Sequence, residues 1–82
     1  MIAKVFSERL KALRATKNLS QKAVAEAIGV TDRNYRRYEA GEQDPATGVS
    51  IRLADLYDVS LDYLVGRTDD PHGGYSPKDG AP

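Results

Sequence analysis

The side chains best suited to chemistry are three arginines that lie close together in the chain, Arg33, Arg36 and Arg37. A guanidinium group is always charged and presents a planar set of donors, which suits it to phosphates and other flat acceptors. On a helix these arginines form like-charge pairs three and four residues apart, and each such pair destabilises an isolated helix by about 0.2–0.5 kcal/mol. A neighbouring anion would offset this cost. The simpler alternative is a basic face that contacts only water.

Other reactive chemistry is poorly represented. The chain has no cysteine, which excludes disulfides, thiolate nucleophiles and cysteine zinc sites. The single histidine, His72, has no partners for a metal site, so we expect a solvated side chain. Asp69 and Asp70 are adjacent in the same glycine- and proline-rich segment, where nothing positions them for catalysis. With no catalytic triad or glycine-rich phosphate loop either, we expect no enzyme activity, no cofactor and no metal.

The length and charge of the chain favour a binding module. Its 82 residues can form one small domain, which buries only roughly 60% of the surface of the unfolded chain and leaves little room for an internal active site. The net charge is zero, but residues 1–41 carry nine lysines and arginines against four acids, whereas residues 42–82 carry three against eight. The basic half could face a polyanion while the acidic half avoids it.

The sequence also bears on location. No run approaches the ~20 apolar residues that a membrane helix needs. The N-terminal residues MIAKVFSERL reach Glu8 before a signal-peptide core could form. We therefore expect a cytoplasmic protein with no membrane partner.

Apolar residues recur at helical spacing throughout, and no segment alternates like a strand. This pattern predicts an all-α fold of five helices, over about residues 5–17, 21–28, 32–40, 45–57 and 61–65. Residues 67–82 hold three of the four prolines and almost nothing apolar. We predict one domain over residues 1–66, followed by a disordered tail or linker over residues 67–82.

Residues that begin and end helices support these boundaries. Ser20, Thr31 and Ser60 are predicted N-caps, because their hydroxyl groups can accept a hydrogen bond from the first turn. Gly29, Gly41 and Gly66 are predicted to end the second, third and fifth helices, since glycine readily adopts the left-handed geometry found after a helix.

The second and third helices have the spacing of a helix-turn-helix, in which the second of the two helices enters the major groove of DNA. At about 100° per residue, Tyr35 and Tyr38 fall on one side of the third helix and the three arginines fall on the other. We therefore expect the tyrosines to face inward and the arginines to face outward.

The chain resembles the phage-repressor and Cro type of helix-turn-helix family, over about residues 5–67. The resemblance is carried by LSQ at 19–21, IGV at 28–30, YEAG at 38–41, Pro45 and LDYLVG at 61–66. Members of this family are compact five-helix DNA-binding domains of bacterial and phage regulators, so the resemblance implies the same fold here.

The resemblance also implies roles for individual residues. Asp32, Arg33 and Arg37 match positions that contact base edges, and an arginine fork can bond both major-groove acceptors of guanine. Asp32 has an alternative role in matching the dipole of its own helix, or capping it. Phosphate contacts are expected from Gln21, at the start of the second helix, and from Asn34 and Arg36.

A further pair, Arg14 and Glu39, matches a structural ion pair that joins the first helix to the end of the third. The chain departs from the family in the acidic turn at Glu42 to Asp44, which lowers the expected electrostatic affinity for DNA. Tyr35, Gly48 and Ser50 also depart from the usual apolar pattern, and we expect them to affect stability.

Together these features predict a sequence-specific, non-enzymatic transcriptional regulator, expected to be a repressor, that binds double-stranded DNA as a homodimer on a pseudo-palindromic operator. The candidate dimer interface is apolar and lies near the last helix: Tyr57, Val59, Leu61, Leu64 and Val65. For Leu61 and Leu64, packing inside the domain is an equal alternative. The alternative function is a protein-interaction module, such as an antitoxin, whose acidic half or tail binds a protein partner and for which DNA binding is secondary.

Overall fold

The polypeptide folds into five helices within residues 3–73, the part of the chain that the computed structural model describes. The helices are α1 (Ala3–Thr16), α2 (Gln21–Ile28), α3 (Asp32–Glu39), α4 (Thr47–Tyr57) and α5 (Leu61–Leu64), and no strand is found among these residues. The predicted all-α class with five helices is confirmed. The predicted boundaries differ by one or two residues, most visibly at α1, which already includes Ala3.

Three of the helices begin at the predicted hydroxyl caps. The hydrogen bonds are 3.0 Å from the Ala23 amide to Ser20, 3.1 Å from the Asn34 amide to Thr31 and 3.0 Å from the Tyr63 amide to Ser60. Each satisfies a backbone donor that has no partner within its own helix. α4 begins differently, because its N-cap residue, Ala46, offers no side-chain acceptor.

The hydrophobic core lies where the five helices meet. It is built from Phe6, Leu10, Val24, Ala25, Ile28, Tyr35, Tyr38, Leu53, Ala54, Tyr57, Val59 and Leu64. Every helix contributes, so the position of α3 is set by contacts with its neighbours on several sides. The position of the basic face of α3 is thus fixed by the packing of α3 against the core.

The core also corrects the predicted dimer patch. Tyr57, Val59 and Leu64 are buried among the core residues. The expectation of exposed apolar surface is therefore wrong for Tyr57 and Val59, whereas for Leu64 the alternative of packing inside the domain is confirmed. A domain this small needs these side chains to fill its own interior. Leu61 and Val65 remain half-buried at the surface, and their contact with a second copy stays a prediction.

The residues that follow α5 lie against α1. The guanidinium group of Arg9 donates hydrogen bonds to the carbonyl oxygens of Tyr63 and Thr68 and to the Asp69 carboxylate, the last two at 2.7 and 2.8 Å. It also lies 4.0 Å from the centre of the Tyr63 ring, a cation–π contact. Further on, the Pro71 carbonyl accepts from the Ser60 amide at 2.8 Å. These contacts continue past residue 66, where we expected the domain to end. The rest of the predicted tail, residues 74–82, lies outside the described residues.

Candidate nucleic-acid interface

The two sides of α3 differ sharply in character. Tyr35 and Tyr38 are buried on the inner side, and their rings meet edge to face with centroids 6.4 Å apart. Arg33, Arg36 and Arg37 are exposed on the outer side. The division predicted from helical periodicity is confirmed, and α3 presents three guanidinium groups to solvent.

The charges on the outer side are only partly paired. Arg36 Nη2 lies 3.8 Å from Asp32 Oδ2, one turn away, with both side chains solvent-accessible. Exposed pairs of this kind contribute little to stability and exchange readily with other partners. Arg33 and Arg37 have no carboxylate within ion-pair distance in residues 3–73. Their positive charge is therefore available to an anion.

Asp32 and Asn34 lie at the beginning of α3. The side chain that caps the helix belongs to Thr31, so Asp32 is not the capping residue. It sits in the first turn, where its negative charge suits the positive end of the helix dipole. Asn34 uses its backbone amide for the cap, and its side chain is half-buried.

The turn between α2 and α3 is held from two directions. Gly29 has a φ of 78°, and its amide donates to the carbonyl oxygens of Ala25 and Glu26. This left-handed conformation is costly for residues with a Cβ. From α4, Arg52 Nε donates to the Ile28 carbonyl at 2.9 Å. A cation at the end of α2 also suits the helix dipole. Our sequence reasoning missed this role of Arg52, because 24 residues separate the two groups.

A polar cluster lies at the start of α2, and the structure brings Arg14, Gln21 and Glu39 together there. Arg14 Nε is 2.6 Å from Glu39 Oε2, and Arg14 Nη2 is 3.1 Å from Glu39 Oε1. Gln21 Nε2 donates to Glu39 Oε1 at 3.1 Å. Arg14 also donates to the Leu19 carbonyl at 3.0 Å. One carboxylate at the end of α3 therefore joins α1, α2 and α3.

Two tyrosines extend this cluster into the core. The hydroxyl groups of Tyr35 and Tyr57 lie 3.3 Å apart, and the Glu39 carboxylate is close enough to affect the pKa of Tyr35. Burial is the largest cause that raises the pKa of Tyr35 far above its ordinary value, and the neighbouring Glu39 and Tyr57 raise it further. The sequence predicts that Tyr35 faces inward and departs from an apolar position, but it does not predict the partners of its hydroxyl group. Its buried hydroxyl group is accommodated because Glu39 and Tyr57 provide polar partners.

The protonation state of Glu39 follows from its surroundings. Burial alone would raise the pKa of this carboxyl group, but its interactions with Arg14, Tyr35 and Gln21 lower it below its ordinary value. The hydrogen bond between Arg14 and Glu39 also raises the pKa of Arg14. Both groups are therefore charged at neutral pH.

Two other expectations concern residues away from α3. His72 is exposed, and its backbone amide donates to Asp70 Oδ1 at 3.0 Å. None of the helices within residues 3–73 has the length and apolar character needed to cross a membrane.

Two capped helices joined by a glycine turn, with an exposed basic face on the second, define a helix-turn-helix domain. The family model described as Helix-turn-helix matches residues 10–64, and the chain belongs to this family. The resemblance found in the sequence is thereby confirmed.

Curated relatives match the same part of the chain. The uncharacterized HTH-type transcriptional regulator YobD of Bacillus subtilis is 42% identical over 67 residues, which are 82% of this chain and 60% of YobD. The HTH-type transcriptional regulator ImmR of the same species is 37% identical over 62 residues, 76% of this chain and 49% of ImmR. The cryptic phage CTXphi transcriptional repressor RstR of Vibrio cholerae is 37% identical over 62 residues, 76% of this chain and 55% of RstR. The chain thus spans about half to three fifths of the length of these relatives. No solved structure matches it.

Proposed function

We propose that this protein is a sequence-specific, non-enzymatic DNA-binding regulator of transcription that inserts α3 into the major groove. The observation that carries the proposal is the outer side of α3, where Arg33, Arg36 and Arg37 are exposed opposite two buried tyrosines. This helix is the second of the helix-turn-helix, the one that enters the groove in this motif. The names of the relatives, which are transcriptional regulators and a phage repressor, support the same function.

Within this function, Arg33 and Arg37 are the residues that read bases. They lie one helical turn apart on the exposed side, and neither is held by a carboxylate of residues 3–73. Each can donate two parallel hydrogen bonds to the O6 and N7 atoms of a guanine. Asp32 can accept from the amino group of a cytosine, although its pairing with Arg36 must then loosen.

Phosphate contacts position the helix without reading sequence. Arg36 and Asn34 supply them from α3. At the start of α2, Gln21 does so together with the first backbone amides of that helix, which have no partner in the helix and lie at its positive end.

The regulator acts as a homodimeric repressor on a pseudo-palindromic operator. The eight residues of α3 contact too few base pairs for discrimination on a genomic scale, and a twofold dimer doubles the number that are read. Repression is favoured by the named repressor RstR among the relatives. Leu61 and Val65, half-buried at the surface, are the apolar candidates for contact between the two copies.

Selection of bound duplexes from a random DNA pool tests this function. We expect an enriched motif with inverted half-sites whose centres are about 10 base pairs apart, or a multiple of that. A variant with both Arg33→Ala and Arg37→Ala is the control and should lose the motif while it remains folded. No enriched motif for the wild type, together with copurification of a stoichiometric protein partner, would favour the interaction module instead.

A further inference from the structure

The Gln21 side chain at the start of α2 is already engaged in the free protein. It follows the N-cap Ser20 directly and is half-buried. Its amide nitrogen donates to Glu39 Oε1 at 3.1 Å. A phosphate arriving at this end of α2 therefore meets a glutamine whose amide is held by a residue from α3.

The contacts of Glu39 determine which end of the Gln21 amide it can hold. Only 4% of the Glu39 side chain is exposed, and Arg14 binds both of its oxygens. An ionised carboxylate is an acceptor only. It therefore binds the amino end of the Gln21 amide and repels the carbonyl end. The orientation of the amide group is fixed as a result.

We propose that Glu39 is a positioning residue for DNA binding, which holds the Gln21 amide so that its remaining N–H can donate to a backbone phosphate at the start of α2. The inference rests on the proposed function. An amide nitrogen carries two hydrogens, and Glu39 engages one of them. The second can donate to a phosphate, and the backbone amides of the first turn of α2, which Gln21 begins, attract the same phosphate.

If Gln21 is already held in place, less conformational entropy of its side chain is lost when DNA binds. A glutamine that must be immobilised at an interface loses side-chain freedom worth about 0.5–1.5 kcal/mol, which corresponds to roughly two- to tenfold in affinity. Glu39 orders Gln21 before DNA arrives. Because phosphates carry no sequence information, the effect should be equal on operator and random DNA.

A double-mutant cycle on DNA affinity tests the proposal, with wild type, Gln21→Ala, Glu39→Ala and the double variant measured at a temperature where all four are folded. We expect Gln21→Ala to weaken binding to operator and random DNA alike. Glu39→Ala should weaken binding about two- to tenfold in the wild-type background and have little effect once Gln21 is alanine. If Glu39 acts in folding alone, Glu39→Ala should leave the affinity of the folded protein unchanged, or change it by the same factor in both backgrounds.

The matched control is Ser60→Ala, which removes the cap of α5 and destabilises the domain at a site that does not contact Gln21. Its effect on affinity should be the same with and without Gln21. The positioning role would be overturned if Glu39→Ala changed DNA affinity by the same factor with and without Gln21, or if Gln21→Ala left DNA affinity unchanged. Failure of the wild type to bind any DNA would instead refute the proposed function.

A measurement on the wild type covers the case in which Glu39→Ala does not fold. Nitrogen relaxation of the side-chain amides by NMR reports their order without any substitution. Gln43 is the internal reference, because no side-chain hydrogen bond of Gln43 is found within residues 3–73. We expect the Gln21 amide to be markedly more ordered than that of Gln43, and equal mobility of the two would overturn the proposal.

Discussion

Replacing Glu39 with alanine removes the carboxylate that accepts hydrogen bonds from Arg14 and Gln21. Arg14 loses both of its bonds to this group and keeps only the Leu19 carbonyl. Tyr35 keeps Tyr57 as a partner. The main cost is therefore the uncompensated charge left on Arg14.

The size of the loss depends on how deeply Arg14 is buried. Removing one partner of a buried ion pair costs about 3–5 kcal/mol. The Arg14 side chain keeps 24% of its exposure, so water can reach the orphaned charge. We expect the lower end, a loss of about 3 kcal/mol in the free energy of unfolding. In a domain of this size each kilocalorie lowers the melting temperature by about 4–8 °C, which gives a decrease of roughly 12–24 °C.

Thermal and urea unfolding followed by circular dichroism, without DNA, measures this loss. Glu42→Ala is the matched control: it is the same substitution in the turn after α3, at an exposed residue, and should stay within about 0.5 kcal/mol of wild type. If Glu39→Ala were as stable as the Glu42→Ala control, the carboxylate would contribute nothing to the packing of the three helices, contrary to this prediction.

Three further predictions concern pH, helix propensity and DNA geometry. Stability should fall as the pH drops below about 4.5, the ordinary pKa of the Glu39 carboxyl, because the folded state keeps that pKa low and loses its charge interactions on protonation. Urea unfolding measured at several pH values should show that the stability of Glu39→Gln depends less on pH than that of the wild type. Identical pH dependence of the two proteins would contradict this. Gly48→Ala should add about 0.5–1 kcal/mol to the free energy of unfolding, since a Cβ there meets nothing within 4 Å. Gly66→Ala should destabilise the domain, since φ is 85° and the Cβ would lie 2.9 Å from Val5 Cγ1. If urea unfolding showed Gly66→Ala to be the more stable variant, this prediction would be wrong. Insertion of five base pairs between half-sites, about half a turn of DNA, should reduce affinity toward the nonspecific level in a gel-shift assay, and an unchanged affinity would contradict the twofold dimer.

The features of the fold that could be predicted are those encoded over short distances in the chain. A cap needs only Ser20, Thr31 or Ser60 and the next three residues. The two sides of α3 follow from a period of about 3.6 residues, which separates Tyr35 from Arg33 without knowledge of any other helix. The basic surface was therefore accessible to sequence reasoning.

The features that escaped prediction depend on contacts between distant parts of the chain. The bond from Arg52 to the end of α2 and the contacts of Arg9 with residues after α5 join groups 24 to 60 positions apart, and helical periodicity carries no information about them. The dimer patch was wrong for Tyr57 and Val59, because a run of apolar residues does not show which of them a small domain buries in its own core. For Leu61 and Leu64 the sequence left both positions open. α5 has only four residues, little more than one turn, so periodicity could not decide that Leu64 faces inward while Leu61 stays at the surface.

Two arginine variants, compared on two kinds of DNA, decide whether the outer side of α3 reads DNA sequence. Arg33→Ala and Arg36→Ala each remove one exposed guanidinium group from the same helix, so each serves as the control for the other. Arg33→Ala should weaken binding to the selected operator by about 1–3 kcal/mol and relax preference at one position, with a smaller loss on random DNA. Arg36→Ala should weaken both by the same factor. Equal losses on operator and random DNA for Arg33→Ala would contradict base reading by α3.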